Sequence, residues 1–402
     1  MQGKVHIERA REKTIETNRL SPVAYLTGIA FLVLLSRLMF SPLLPVIEDD
    51  LKLTHGQAGG LFFFMSVGFS ISMLLSGFIA GLLTHRWTIL TSAFTATAAL
   101  FALSFCRGLH CMQGLLVLLG AGGGLYLPSA MATITNLVKK KRRGRAIGIH
   151  EIGFNMSFIA APLAVRFILP IYTWRVSLIM VAACTAIAGF AFMLFGTGGR
   201  MPGEPPRMQH IRTILSRPQF WIIGTLFAVV IGAEIGVYSM IPTYLVSSEG
   251  MELNRVNTLL SLSRVSSLVM VFVTGWLVDR FGAKALIMIV LSVSAVLTVL
   301  LGFSHEALLL AAVFAQPLVI ICFFPAGLSA LSDSFSSRLL SLAISFMIPF
   351  AYFFGAGLVP AGMGFLGERG LFSVGFYITG ASLIVVLIPL YFLELTGHDR
   401  TG

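Results

Sequence analysis

The chain is 402 residues long, 56% of them hydrophobic and only 11% charged, with a mean hydropathy of +0.90. That leaves too little polar surface to cover a water-soluble globule of this size. The formal net charge of +11 raises nucleic acid as a partner, but the basic residues gather at the ends of apolar runs, where the positive-inside rule places them in a membrane protein, so a lipid bilayer and no nucleic acid is the expectation.

A helix needs about 20 mostly apolar residues to cross a bilayer, because hydrocarbon offers no partner to an open backbone amide. Twelve such stretches are present, so the predicted fold class is an all-α membrane protein. In the first half the pattern predicts helices over Val23–Ile47, Gln57–Leu83, Thr88–Cys106, Met112–Val138, Ala146–Pro170 and Trp174–Phe195. In the second half it predicts Gln219–Val246, Val256–Val278, Ala283–Phe303, Ala307–Leu331, Leu339–Phe365 and Phe372–Leu393. Between them GTGGRMPGEPPRMQHIRTILSRP is polar and rich in Gly, Pro and Arg, and reads as a linker. The organisation is then an N-terminal segment 1–21, a six-helix unit 22–196, a linker 197–217, a second six-helix unit 218–394 and a tail 395–402.

Basic residues give the orientation. Lys4, Arg9, Arg11, Lys13, Arg19, Arg86, the run Lys139 to Arg145, the linker arginines, Arg280, Lys284, Arg338 and Arg400 fall on one side, about 20 of the 28 Lys and Arg. That side is expected to be cytoplasmic, with both termini and the linker on it, as in the cytoplasmic membrane of a bacterium. The opening residues are charged and no small-residue cleavage site follows, so no cleavable signal peptide is expected. Cys106 and Cys111 flank a short loop on the other side; a disulfide is geometrically open to them, but free thiols are the expectation. No Cys or His spacing points to a metal, and no cofactor is expected.

The two halves carry faint internal correspondence. GLLTHR, from Gly81 to Arg86, follows the second helix, and GWLVDRFGAK, from Gly275 to Lys284, follows the eighth. The second stretch resembles the G-x-L-x-D-R-x-G-x-K loop of the major facilitator superfamily, and the first is similar to a degraded copy with Thr84 in place of Asp. Gly122-Gly-Gly-Leu-Tyr-Leu-Pro128, Arg142-Arg-Gly-Arg145-Ala and Thr173-Trp174-Arg175 are also similar to that superfamily's first half. The resemblance implies two six-helix bundles about a pseudo-two-fold axis along the membrane normal, a midplane site lined by the first, fourth, seventh and tenth helices, and alternating access by rocking. It further implies gating roles for Asp279, Arg280, Arg86 and Arg145, with Arg280 pairing across the cytoplasmic side and Asp279 capping a helix. Thr84 puts the first copy of that latch in doubt.

Four ionisable residues lie inside otherwise apolar stretches: Arg37, Glu151, Glu234 and Arg264. A charge near the bilayer centre costs about 2.5 to 3.5 kcal/mol on insertion scales, so these groups are expected to face one another, water or a substrate. Arg37 stands eight residues before Pro45 and Glu234 eight before Pro242, which under the repeat predicts equal depth on opposite walls. Either they form a plain ion pair between the bundles or the pair breaks for substrate or proton. Arg37 and Arg264 present forks that match a carboxylate; Arg264 is alternatively only a partner of Glu234 or Glu151. Glu151 and Asn155 share a face of the fifth helix with Phe158 and Pro162, His150 turning away, and Glu151 reads either as a proton carrier or as a packing and gate residue. Tyr126, Tyr238 and Gln316 fall on cavity-lining helices, to orient substrate or simply to pack. Gly120, Gly122, Gly123 and Gly124 read as helix-contact residues, since no strand precedes them for a phosphate loop.

With no nucleophile and base pair and no metal cluster, an enzyme is not expected. The function expected is a secondary transporter importing a small organic anion with protons, working as a monomer. Arg37, Arg264, Tyr126, Tyr238, Gln316 and Asn155 would bind the anion, and Glu234 and Glu151 the proton. The alternative is proton-driven efflux of lipophilic or cationic drugs, which the 33 Phe and 17 Met would suit. The Gly-Pro signature that resembles drug antiporters is not clear, because Gly153 and Pro162 are too far apart.

Overall fold

The computed structural model describes residues 21–392 except Glu204, Pro206, Arg207 and Ser304. The predicted N-terminal segment and tail lie, but for Ser21, outside the described residues. Among the described residues the chain is all-α, with twelve helices in two bundles of six; ten are long and apolar enough to cross a membrane, and an eleventh if the bent pair Leu253–Leu268 and Val273–Phe281 is one span. The first bundle comprises α1 (Pro22–Leu51), α2 (His55–Leu83), α3 (His85–Leu103), α4 (Leu109–Leu137), α5 (Lys140–Ile168) and α6 (Trp174–Phe195). The second comprises α7 (Pro218–Ser247), α8 (Leu253–Phe281), α9 (Ala283–Leu300), α10 (Glu306–Ser334), α11 (Leu339–Gly367) and α12 (Phe372–Phe392).

Several helices exceed their predicted spans, since polar residues continue a helix beyond the hydrocarbon. A helix of 29 residues is about 44 Å long against about 30 Å of hydrocarbon. The basic run before α5 is thus its first turns rather than a loop. At the other end, α1 stops where Lys52 takes a left-handed conformation, and α2 starts at once with a reciprocal cap between Thr54 and Gln57. We call the face carrying the Lys139–Arg145 run and the linker the basic face, and its opposite the distal face.

The glycine run of α4 lets backbones touch. Gly120 and Gly124 lie against the Met65 and Phe69 carbonyls of α2, and Gly122 against Ser92 and Ala96 of α3. A methyl group at any of these would push helices apart. Gly123 faces the side chain of Arg37 instead.

The internal repeat is clearer in the backbone than in the sequence. α2 and α3 are separated by one residue, Thr84 (φ 91), and α8 and α9 by one residue, Gly282 (φ 78). Thr84 is therefore the counterpart of Gly282, not of Asp279, and the sequence alignment of the two loops is corrected accordingly. In this register Gly77 falls opposite Gly275 and Arg86 opposite Lys284. The two basic residues do the same work: Arg86 donates to the carbonyls of Phe192, Met193 and Gly196 at the end of α6, and Lys284 donates to the Tyr391 carbonyl at the end of α12. Both satisfy open C-terminal carbonyls with a positive charge. Arg86 thus braces the first bundle from within and reaches no residue of the second among the described residues.

The described linker residues rest on both bundles. Its first part docks on the first bundle, where His85 and Arg86 donate backbone bonds to Met201 and Gly199 and Gly203 donates to Ala80. A short helix, Met208–Leu215, follows. It buries Ile214 against the second bundle.

Candidate functional site

Glu234 lies within a π-helical turn of α7, Gly232–Gly236. Such a turn displaces the backbone bonds by a residue and leaves carbonyls short of partners. Two side chains supply them: Gln316 of α10 donates Nε2–H to the Ala233 carbonyl at 2.9 Å, and Arg264 of α8 reaches the Glu234 carbonyl at 3.5 Å. Arg264 Nη1 also meets Glu234 Oε1 at 3.4 Å, both side chains being buried. The partner of Glu234 is therefore Arg264 of its own bundle. Arg37 makes no ion pair with Glu234 among the described residues.

Aromatic rings from both bundles enclose each guanidinium. Arg264 Cζ is 4.7 Å from the ring centroids of Phe158 on α5 and Tyr238 on α7. Arg37 Cζ is 4.3 Å from Phe69 on α2 and 5.2 Å from Tyr352 on α11, rings tilted to each other with centroids 4.4 Å apart. Each contact is a cation over a π-face out of water. The repeat relates α1 to α7, α2 to α8 and α5 to α11, so the two Arg–Phe–Tyr cages occupy equivalent helices with the roles exchanged. Their occupation differs. The Arg264 cage contains its own carboxylate, whereas Arg37, 8% exposed, has no carboxylate within ion-pair distance among the described residues, and its Nε has no hydrogen-bond partner. The Tyr352 hydroxyl lies within its hydrogen-bonding reach.

Beside Arg37 a cavity of about 20 Å³ is lined by Ser41, Ser66, Met65, Ser239 and Tyr352, space for about one water molecule. Its distal side is shut. Ser41 donates to the Tyr238 carbonyl and Ser261 to that of Ile159, Arg166 bonds Thr258, and Gly59 and Gly364 bring α2 against α11. Hydrogen bonds between the bundles extend as far as Ser70, which donates to Pro349. Nearer the basic face Glu151 is 46% exposed, on the α5 stripe that continues to Phe158.

The remaining predicted residues are placed as follows. Tyr238 lies between the bundles, its hydroxyl 3.4 Å from the Phe158 carbonyl. Tyr126 does not line the cavity: it is buried in the first bundle, bonded to the Leu26 carbonyl and to His150. Gln316 supports the α7 backbone as described. Asn155 donates to the Glu151 carbonyl on its own helix. Arg145, Asp279 and Arg280 are exposed at the basic face. Arg280 covers Trp276 of its own helix at 5.2 Å, and neither it nor Asp279 reaches the first bundle among the described residues. Cys106 and Cys111 are joined in a disulfide, which corrects the expectation of free thiols; helical ends turn both towards one loop. Among the described residues no group of three His, Cys, Asp or Glu side chains could hold a metal.

Phe69 and Tyr352 had no signal in the sequence. Tyr352 sits in the run FAYFFGAG, where one aromatic among others on an apolar helix gives no contrast. The glycines beside it were the available hint. Gly355 allows α11 to touch the Ala228 carbonyl and Gly232 of α7, and the segment Tyr352–Leu358 is itself π-helical.

The family model of the Major Facilitator Superfamily matches residues 26–273 and 250–401, nearly the whole described chain. The chain belongs to that superfamily. Its members here are transporters and not enzymes. Among relatives, protein TsgA of Salmonella schwarzengrund (strain CVM19633) is 22% identical over 62% of this chain, an alignment spanning 64% of TsgA. A probable nitrate transporter, NarT of Staphylococcus haemolyticus (strain JCSC1435), is 23% identical over 67% of this chain and 70% of its own. The crystal structure of a mutant of the nucleoside transporter NupG superposes with a TM-score of 0.75 at 16% identity, covering 93% of this chain and 99% of that one. This likeness establishes the superfamily's two-bundle fold.

Proposed function

We propose that this superfamily member takes up a small organic monoanion, a carboxylate, together with protons by alternating access. The observation that carries the reading is the unequal occupation of two equivalent cages. Arg264 is neutralised by Glu234 at 3.4 Å, while Arg37 is buried with no carboxylate near it. Among the described residues two buried guanidinium groups thus share one buried carboxylate, and an uncompensated charge at that depth costs several kcal/mol. A substrate carboxylate would occupy the Arg37 cage as Glu234 occupies the other, with Tyr352, Ser41, Ser66 and Ser239 at hand for its remaining oxygens. A lipophilic cation, the cargo of the efflux reading, would meet Arg37 as a like charge.

Glu234 is the proposed proton carrier. Protonation would release Arg264, which then turns its fork to the same anion from the opposite wall. Tyr238 would hold Arg264 and Asn155 would face the entering substrate. The basic face is proposed to be cytoplasmic, with both termini on it, in a bacterial membrane, and the protein to act as a monomer. The closed distal side would then make this an inward-facing arrangement. Asp279, Arg280 and Arg145 are proposed to meet across that face only when it closes.

The test is purified protein in liposomes with an imposed proton gradient and radiolabelled monocarboxylates, dicarboxylates and nitrate, the last because of the name of one relative. Accumulation of a monoanion that collapses with the gradient is expected. If no anion accumulates and a lipophilic cationic dye is expelled, the efflux reading replaces this one.

A further inference from the structure

His150 of α5 is fully buried, packed between Tyr126 of α4 and Phe154, with Tyr126 stacked parallel at 5.8 Å. The Tyr126 hydroxyl has a single hydrogen. It contacts the Leu26 carbonyl of α1, and a carbonyl only accepts, so that hydrogen is committed there. The Tyr126 oxygen also lies 3.1 Å from His150 Nε2 and must accept from it, which puts a hydrogen on Nε2. In a neutral ring the lone pair is then on Nδ1, which is buried without a hydrogen-bond partner and faces Glu151 Oε1 at 3.7 Å. The buried lone pair and the half-exposed carboxylate repel each other, and one added proton on either atom lets the contact close into a bond.

We propose that His150 Nδ1 and Glu151 Oε1 form a binding site for one proton, filled from water at the basic face and separate from the Arg264–Glu234 pair. Glu151, half exposed, is its entrance, and Tyr126 its inner end. The site ties α5 to α4 and α1 through Tyr126 and Leu26, so its occupancy bears on the packing of the first bundle as that bundle moves. Other titratable groups approach little. Tyr352 of α11 faces Glu151 electrostatically. From α1 the Leu26 carbonyl and the Ala30 backbone meet Tyr126, and the Thr27 hydroxyl reaches the Ile149 carbonyl at 3.5 Å; Arg37 is 11 residues beyond Leu26, about 16 Å along the axis. Arg264 of α8 covers Phe158, about two turns away along α5. Arg175 of α6 and Asp50 of α1 are paired with each other at the distal end, and Arg143 and Arg145 lie more than a turn towards the basic face.

This deepens the proton-coupled reading, and its test does not involve transport. The full chain is labelled with 15N-histidine in lipid nanodiscs, and the His150 resonances are identified by their loss in His150→Gln. The expected spectrum keeps a proton on Nε2 throughout, while Nδ1 changes from its bare to its protonated signature as protons are added. In Glu151→Gln the amide donates to Nδ1, and that change disappears. Because Glu151 is half exposed, this variant retains the fold; unchanged remaining histidine resonances verify it. A proton found on Nδ1 with Nε2 bare at all pH values, or a Glu151→Gln spectrum that titrates as the parent does, overturns the proposal. Failure of uptake in the liposome assay alone would leave it standing.

Discussion

Arg264 meets Glu234 at 3.4 Å inside the second bundle, so Arg37, across the interface, is left with aromatic rings and no carboxylate. The two arginines look alike in the sequence but have different work. One belongs to an internal pair, and the other meets no carboxylate among the described residues.

Removing one partner of the pair is therefore more harmful than removing both. Arg264→Ala leaves Glu234 buried without its cation, and a loss of about 3 kcal/mol is expected. Replacing both, as Arg264→Met with Glu234→Met, restores most of that stability, because neither charge remains to be solvated. Thermal unfolding in detergent compares the variants. A double variant as unstable as the single would mean that packing, not charge, controls this site.

Glu234→Gln keeps a polar side chain for Arg264 but removes the exchangeable proton. Substrate exchange across liposomes at equal pH should persist, while accumulation driven by a proton gradient should fall at least tenfold, about 1.4 kcal/mol of lost coupling. Gradient-driven accumulation at the parent level would move the proton elsewhere.

The backbone at Thr84, with φ 91 and ψ 156, lies in a region that is open almost only to glycine. Its repeat counterpart is glycine. Thr84→Gly is expected to stabilise the protein by about 1 kcal/mol, and Gly282→Ala to destabilise it by about as much. Melting temperatures of the two variants should move in opposite directions; a fall in both would refute the corrected register.

Two of the four cysteines are expected to resist alkylation until reduced. The Cys106–Cys111 bridge spans a separation of only five residues, so its loop-entropy contribution is about 2 kcal/mol. Mass spectrometry of the unfolded, unreduced chain should find two modified thiols, Cys184 and Cys322. Four modified thiols would show that the bridge does not form.

The twelve helices were legible because lipid imposes a long apolar run on each. Their ends were not, since α1, α5 and α10 continue through polar residues that hydropathy treats as loop. The intramembrane charges were equally conspicuous, and all three of Arg37, Glu234 and Arg264 do converge between the bundles. The Arg264–Glu234 pairing stood among the alternatives, but no spacing singled it out. Spacing from Pro45 and Pro242 gave depth along α1 and α7, but the π-turn at Gly232–Gly236 rotates Glu234 about the α7 axis, towards α8. Tyr126 and Gln316 were assigned to the cavity from helix membership alone, and helix membership does not say which face a residue occupies. With Gly81 set on Gly275 the letters put His85, not Thr84, opposite Asp279, whereas the backbone aligns Thr84 with Gly282 through the positive φ.

The claim on which the account turns is that Arg37 receives the anion, and it is tested most directly by ligand-dependent thermal stability of the parent and of Arg37→Ala. A ligand present at a hundred times its dissociation constant stabilises the folded state by about 2.7 kcal/mol. The parent should melt progressively higher as its monocarboxylate is raised, and Arg37→Ala, folded and monodisperse, should show no such rise. An Arg37→Ala protein stabilised by the same anion at the same concentrations would contradict the account.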